Sequence, residues 1–91
     1  MQVLIVTYDL NNEAGSANYQ AVLDIIKGEK NWAKLSESSY AMYTTMTPQL
    51  VYQRAKPFLD DNDDFLVITL NKPYFGRHSK SVIEWLGSKL I

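Results

Sequence analysis

The sequence predicts a single α+β domain, and three observations support this prediction. The chain has 91 residues, which is enough for one hydrophobic core. Two runs rich in β-branched residues, Val3 to Leu10 and Phe65 to Leu70, have the composition of buried strands. Between and after these runs, apolar residues recur at helical spacing. We expect one domain over residues 1–91, with a core at 1–70 and a C-terminal loop and helix at 71–91.

The first apolar run is predicted to form a central strand. Its two alternating sets of side chains are both largely apolar, so both faces of the sheet should be covered. Asp9 stands near the carboxyl end of this run, just before the polar residues Asn11 and Asn12. A carboxylate at a strand end occupies the place where α/β sheets often hold their chemistry, so Asp9 becomes the first candidate site residue.

The next segment predicts a helix and a pair of strands. Ser16 can cap the helix and Gly28 can end it. The apolar residues that share one face of this helix are Tyr19, Val22, Leu23 and Ile26. Trp32 to Ser36 is then a weaker strand and Tyr40 to Met46 a stronger one. The short polar turn between them predicts that they pair in antiparallel fashion.

Thr47 and Pro48 predict the start of a second helix, because Thr caps free N–H groups and Pro fits the first turn. Its buried positions are predicted to be Leu50, Val51, Ala55, Phe58 and Leu59. Pro57 indicates that this helix kinks or ends near Lys56. The acidic residues at 60–64 are typical of a solvated turn, and the second apolar run follows as another central strand.

The chain ends with a loop from Lys72 to His78 and a last helix opened by Ser79 or Ser81. The element order β, α, β, β, α, β, α is that of a ferredoxin-like βαββαβ fold with an additional C-terminal helix. We expect the first and last strands to lie side by side in the middle of the sheet, with two helices on one face. The last helix or a second copy of the chain should cover the other face.

Composition narrows the possible settings and partners. The net charge is −1, so nucleic-acid binding would require a local basic patch. Cysteine is absent, which fits a reducing compartment. Neither an export signal nor an apolar run of roughly 20 residues is visible. These features predict a cytoplasmic protein that does not associate with membranes.

Three short motifs suggest a family. They are Leu4-Ile5-Val6-Thr7-Tyr8-Asp9, Glu37-Ser38-Ser39-Tyr40 and Phe58-Leu59-Asp60. In these motifs the chain resembles the small ferredoxin-fold subunit of the CRISPR spacer-integration complex and its relatives, the VapD-type ribonucleases and SinR-like proteins. The resemblance covers Met1 to Leu70 and is closer to the SinR-like group.

The resemblance implies a homodimer in which the two sheets face each other. It also implies that Asp9, as the acid at the end of the first strand, lies near the dimer axis and binds a divalent metal such as magnesium or manganese in nuclease-active members. Two features depart from the family pattern. Met42 stands near the place of a further acid, and a helix follows Leu70 where the CRISPR subunit adds a strand.

Asp9 has two possible roles. As a catalytic and metal-binding residue, it would hold a hard cation that prefers carboxylate and water oxygens. As a capping residue, it would accept hydrogen bonds from the amides of the following loop, and the turn propensity of Asp-x-Asn-Asn favours this plainer role.

A basic and aromatic cluster lies in the loop before the last helix. Its candidate nucleic-acid-binding residues are Lys72, Tyr74, Arg77, His78 and Lys80, with Phe75 among them. Aromatic rings could stack on bases while the cations contact phosphates of RNA or DNA. The alternative is that the rings cover the core or a dimer seam and the cations are merely solvated.

Two classes of function remain open from the sequence. The first is a nucleic-acid-associated homodimer with weak metal-dependent endonuclease activity through Asp9. The second is a non-catalytic dimeric module of phage or mobile-element type, which would bind a protein partner through the surface around Tyr74, Phe75 and Trp85. The Tyr8-Asp9 strand end favours the first class, and the lack of a basic excess favours the second.

Overall fold

The structure is a computed structural model that describes residues 1–13, 15–28 and 30–90; Ile91, the end of the predicted C-terminal segment, lies outside them. The elements are β1 (Gln2–Asp9), α1 (Ala17–Lys27), β2 (Trp32–Ser36), β3 (Ser39–Thr44), α2 (Pro48–Ala55), a 3₁₀ turn (Lys56–Phe58), β4 (Asp64–Leu70) and α3 (Lys80–Lys89). Within the described residues, four antiparallel strands and three α-helices confirm the α+β class, and the arrangement is consistent with a ferredoxin-like fold. In the same part of the chain, no helix has the length and apolar character to cross a membrane.

The helix boundaries follow the predicted capping residues. The hydroxyl oxygens of Ser16, Thr47 and Ser79 each accept a hydrogen bond from the backbone N–H three residues further on, at 3.3, 3.1 and 3.4 Å. Each of these bonds satisfies a donor that the first turn of a helix leaves free. The second helix gives way to the 3₁₀ turn at Lys56, next to Pro57, as the sequence predicted.

The sheet has the strand order β2-β3-β1-β4, and every neighbouring pair is antiparallel. The prediction that β1 is central is confirmed. The prediction that β4 is also central is wrong, because β4 pairs with β1 and forms an edge of the sheet. An apolar run indicates that the two faces of a strand are buried. It does not indicate whether another strand pairs with each of its two edges. The run from Phe65 to Leu70 therefore could not distinguish an edge strand from a central one.

Helices α1 and α2 cover one face of the sheet, as predicted. Side chains from β1, β3, these two helices and the connection after β3 form the main core. Its buried members are Leu4, Val6, Tyr8, Leu23, Ile26, Tyr40, Met42, Met46 and Val51. Phe65 and Val67 of β4 pack against this core from the edge of the sheet. The main core therefore forms from alternate residues of β1 and from the buried sides of the helices. In the second helix only Val51 and Ala55 of the five predicted positions are buried. The prediction for Leu50 is wrong, because Leu50 is 37% exposed.

Helix α3 covers only part of the opposite face. Its buried residues Val82 and Leu86 pack on Val3, Ala33 and Ala41. A ten-residue helix is about 15 Å long and about 10 Å wide, whereas four strands span about 19 Å. One helix therefore shields about half of this face.

The uncovered part lies over β4 and the adjoining residues of β1, although Val3, Ile5 and Leu70 still pack against the cluster under α3. The register places Ile5 opposite Ile68 and Thr7 opposite Leu66. These four residues form what we call the open face. Leu66 is 57% exposed and Ile68 is 47% exposed, which is unusual for apolar side chains next to each other on one strand face.

Replacement of one α3 residue tests this packing. We expect Leu86→Ala to lower the free energy of unfolding by about 2–4 kcal/mol, because Leu86 is 7% exposed and its loss leaves a cavity against the sheet. Ile83→Ala on the same helix is the matched control, since Ile83 is 39% exposed, and it should cost less than about 1 kcal/mol. Urea unfolding measures both changes, and equal losses would contradict the packing of α3.

Candidate functional site

Two carboxylates face each other where β1 and β4 end. The sheet register pairs Asp9 with Asp64, and both residues are exposed. Their chain neighbours Tyr8 and Phe65 pack into the main core, so alternation along each strand places Asp9 and Asp64 on the side of the open face. Directly opposed residues have Cβ atoms about 4.5–5.5 Å apart. We call these two residues the acidic pair.

The acidic pair is unfavourable without a counter-charge. Like charges directly opposite each other on neighbouring strands destabilise the pairing. Lys34–Glu37 and Lys80–Glu84 are the ion pairs found among the described residues, and neither involves this pair of carboxylates. A cation placed between Asp9 and Asp64 would remove the repulsion. Sequence reasoning singled out Asp9 but missed Asp64, because pairing between distant strands decides which residue stands opposite.

Asp63, rather than Asp9, holds the loop amides. Its carboxylate accepts hydrogen bonds from the backbone N–H of Asn11 at 2.7 Å, from the Asn11 side-chain amide at 2.8 Å and from the backbone N–H of Asp60 at 2.7 Å. The backbone hydrogen bond from Asn11, followed by that from Asp60, lowers the pKa of Asp63 below its ordinary value. The capping role considered for Asp9 is therefore filled by a residue that the sequence placed in a solvated acidic turn.

Tyr8 stabilises the fold beside the acidic pair and does not face it. Its hydroxyl donates a hydrogen bond to the carbonyl oxygen of Glu37 at 3.2 Å, and its ring stacks near Tyr40 with centroids 6.4 Å apart. Burial raises the pKa of the Tyr8 phenol well above its usual range. Tyr8 is therefore a neutral structural side chain and is not placed to exchange protons with a substrate at Asp9.

One chain provides part of a binding site for a hard divalent cation. Among the described residues, no three His, Asp or Glu side chains come together in a group that could hold a metal ion. The acidic pair supplies two carboxylates at the end of the sheet. Mg²⁺ usually binds proteins through one or two carboxylates and keeps several waters, so Asp9 and Asp64 suit magnesium or manganese chemically.

The predicted nucleic-acid-binding residues lie in two places. Tyr74, Arg77 and His78 line one groove, whereas Lys72 lines a separate cavity beside Val3 at the far end of α3. Lys80 begins α3, and its Nζ lies 3.9 Å from Oε1 of Glu84, the residue four positions later. The structure thus brings together only part of the cluster that the sequence suggested.

His78 fastens this loop to the sheet. Its Nδ1 accepts a hydrogen bond from the backbone N–H of Ser79 at 2.8 Å, and its Nε2 lies 2.6 Å from the carbonyl oxygen of Leu35. The ring thus links the residue that caps α3 with the backbone of β2. Both ring nitrogens are therefore used within the chain.

The groove beside this loop is apolar. It has a volume of about 200 Å³, and its walls include Leu35, Tyr74, Val82, Ile83 and Leu86. Phe75 stands at this groove and is fully exposed. A fully exposed Phe next to an apolar groove provides an aromatic surface for a base or for a protein side chain.

The chain has no match among protein-family models, among curated proteins or among solved structures. No similar protein lends a function to the acidic pair or to the loop at residues 71–79. Their geometry and charge are therefore the basis for assigning one.

The hydrogen bonds that the Asp63 carboxylate accepts from Asn11 and Asp60, which we call the Asp63 clamp, can be tested through stability in acid. The folded-state pKa of Asp63 is lowered, so its stabilising effect is present above the unfolded pKa of about 3.9 and is lost as the pH falls through the folded value. We expect Asp63→Ala to lower the melting temperature at pH 7, with a difference from wild type that shrinks below pH 4. Asp61→Ala, in the same exposed loop, should leave the melting temperature nearly unchanged. Equal melting temperatures for Asp63→Ala and wild type at pH 7 would show that the clamp contributes nothing.

Proposed function

We propose that this protein is a cytoplasmic homodimer of ferredoxin-like subunits that binds nucleic acid and acts as a weak endonuclease dependent on a divalent metal. The observation that carries the proposal is the acidic pair, Asp9 and Asp64, at the border of an uncovered apolar sheet face. The resemblance to the small CRISPR integration subunit, the VapD-type ribonucleases and the SinR-like proteins points the same way. In that resemblance, the acid at the end of the first strand corresponds to Asp9.

The open face supports the homodimer. Leu66 and Ile68 are exposed beside the half-buried Ile5, and burying such area contributes about 25 cal/mol per Å². A two-fold axis would place the same patch of both copies against each other, and most soluble oligomers are built in this way. Because the acidic pair borders the open face, a dimer formed there would bring four carboxylates to one region.

The carboxylates support metal-dependent chemistry. Asp9 and Asp64 of each copy would hold magnesium or manganese, and the bound ion would act as a Lewis acid on a phosphoryl oxygen. The chain's own contribution is to fix two oxygen-bearing side chains on paired strands, where backbone hydrogen bonds hold their relative positions. A site on a sheet is more rigid than one on a loop alone.

The loop at residues 71–79 supports contact with nucleic acid. Phe75 is fully exposed, and Tyr74 and Arg77 lie beside it. Aromatic stacking on a base contributes about 1–3 kcal/mol, and an Arg side chain can bind a phosphate. Because the net charge is −1, affinity would come from such local contacts and not from a general basic surface.

A second candidate function is a non-catalytic dimeric module that binds a protein partner. The apolar groove between the loop and α3, together with the exposed Phe75, favours it. Partner surfaces often present aromatic anchors next to such pockets. The two functions differ in one measurable respect, since only the first requires the carboxylates of Asp9 and Asp64.

Charged residues on the open face should separate the two copies. We expect the double variant Leu66→Glu and Ile68→Glu to sediment as a monomer at concentrations where the wild type is a dimer, because four buried carboxylates would face each other. Leu50→Glu is the matched control, since Leu50 is a partly exposed apolar residue on α2, on the other side of the sheet. A wild-type protein that is monomeric throughout a sedimentation series would rule out the dimer.

Neutral variants of the acidic pair test the metal-dependent activity. We expect Asp9→Asn and Asp64→Asn each to reduce Mn²⁺-dependent cleavage of RNA and DNA about tenfold or more, whereas Asp61→Asn should not. Without metal, Asp64→Asn should instead stabilise the fold by up to about 1 kcal/mol, because it removes a like-charge contact.

Two results would count against the acidic pair as the metal site. One is equal cleavage by wild type and Asp9→Asn under the same metal conditions. The other is a rise in melting temperature with Mn²⁺ that is as large in Asp9→Asn as in wild type. If cleavage is absent but nucleic acid still binds, the enzymatic part of the proposal fails and the binding part stands.

A further inference from the structure

A cavity at the opposite end of β1 from Asp9 concentrates positive charge. It has a volume of about 390 Å³, and its walls include Gln2, Val3, Asn71, Lys72 and Lys89. Among the described residues that line it, none is acidic. The two lysines come from different segments, because Lys72 follows β4 and Lys89 ends α3. We call this cavity the lysine pocket.

Both ammonium groups are available to a ligand. The ion pairs found in the described part of the chain use Lys34 and Lys80, and no carboxylate of a described residue lies within 4.0 Å of the Nζ of Lys72 or Lys89. The Nζ of Lys89 lies 5.2 Å from the ring centroid of Tyr43, a half-buried residue of β3. This cation–π contact restrains the long side chain while leaving its N–H groups free to donate.

The remaining groups suit a phosphate. Gln2 and Asn71, two uncharged residues, line the same pocket. The side chain of Gln2 donates from Nε2 to the carbonyl oxygen of Met46 at 3.1 Å, so the ammonium groups are the charged donors of the pocket. Two ammonium groups, with no acidic side chain among the described residues that line the pocket, are the chemistry that binds a phosphate dianion or a phosphodiester.

We infer that Lys72 and Lys89 form a phosphate-binding site that holds the backbone of the nucleic acid away from the acidic pair. This inference rests on the proposed nucleic-acid function. The pocket and Asp9 lie at opposite ends of β1, and seven steps along a strand separate them by about 23 Å. At 3.4 Å per phosphate along one strand of a helix, that distance corresponds to about seven nucleotides. The pocket therefore positions substrate, while the acidic pair is the reactive end.

The test compares two double variants with equal charge change. Lys72→Gln with Lys89→Gln removes the proposed site, and Lys30→Gln with Lys56→Gln removes two exposed lysines elsewhere. The first probe is a fluorescent 20-nucleotide single strand, titrated at several salt concentrations. The second is inorganic phosphate, followed by NMR of the backbone amides of Gln2 and Asn71. We expect the first variant to bind the oligonucleotide roughly tenfold more weakly at about 0.1 M salt, with a salt slope smaller by about 1.4. The control variant should keep the affinity for the oligonucleotide and the salt slope near the wild-type values.

The possible results distinguish a failure of the phosphate site from a failure of the proposed nucleic-acid function. If wild type binds the oligonucleotide and the Lys72 and Lys89 variant binds it equally well, the phosphate site is overturned and the nucleic-acid function stands. If wild type binds no oligonucleotide but phosphate shifts the amide signals of Gln2 and Asn71, the site binds free phosphate and the nucleic-acid function fails. If neither probe binds wild type, both are overturned.

Discussion

The sheet is wider than the single helix that packs on one of its faces, and this difference determines which residues remain exposed. Two helices lie on one face and bury it, but α3 alone must cover the other. A single helix shields about two strands, so apolar residues of β1 and β4 stay in contact with water. Covering them would stabilise the fold, and the proposed homodimer would provide such a cover.

The same geometry explains where the charged residues lie. Asp9 follows Thr7 and Asp64 precedes Leu66 at one end of the open face, so the acidic pair stands at its border. Lys72 and Lys89 gather at the other end, where the chain leaves β4 and where α3 finishes. One strand, β1, thus connects an acidic end with a basic end and fixes the distance between them.

Much of the fold could be predicted from the sequence because its signals are local. Capping at Ser16 and Thr47 and the break at Pro57 depend on neighbours in the chain. The edge position of β4 and the opposition of Asp9 and Asp64 depend on pairing between distant strands, for which a single sequence carries no direct signal.

The accessibility of the methyl groups of Leu66 and Ile68 tests the central claim most directly. NMR relaxation caused by a soluble paramagnetic probe can be measured for these methyls across a dilution series. We expect both methyls to be shielded at high protein concentration and to become accessible on dilution, while Leu50 on α2 stays accessible throughout. If the methyls of Leu66 and Ile68 are as accessible at high protein concentration as after dilution, the open face is not covered by a second copy of the chain.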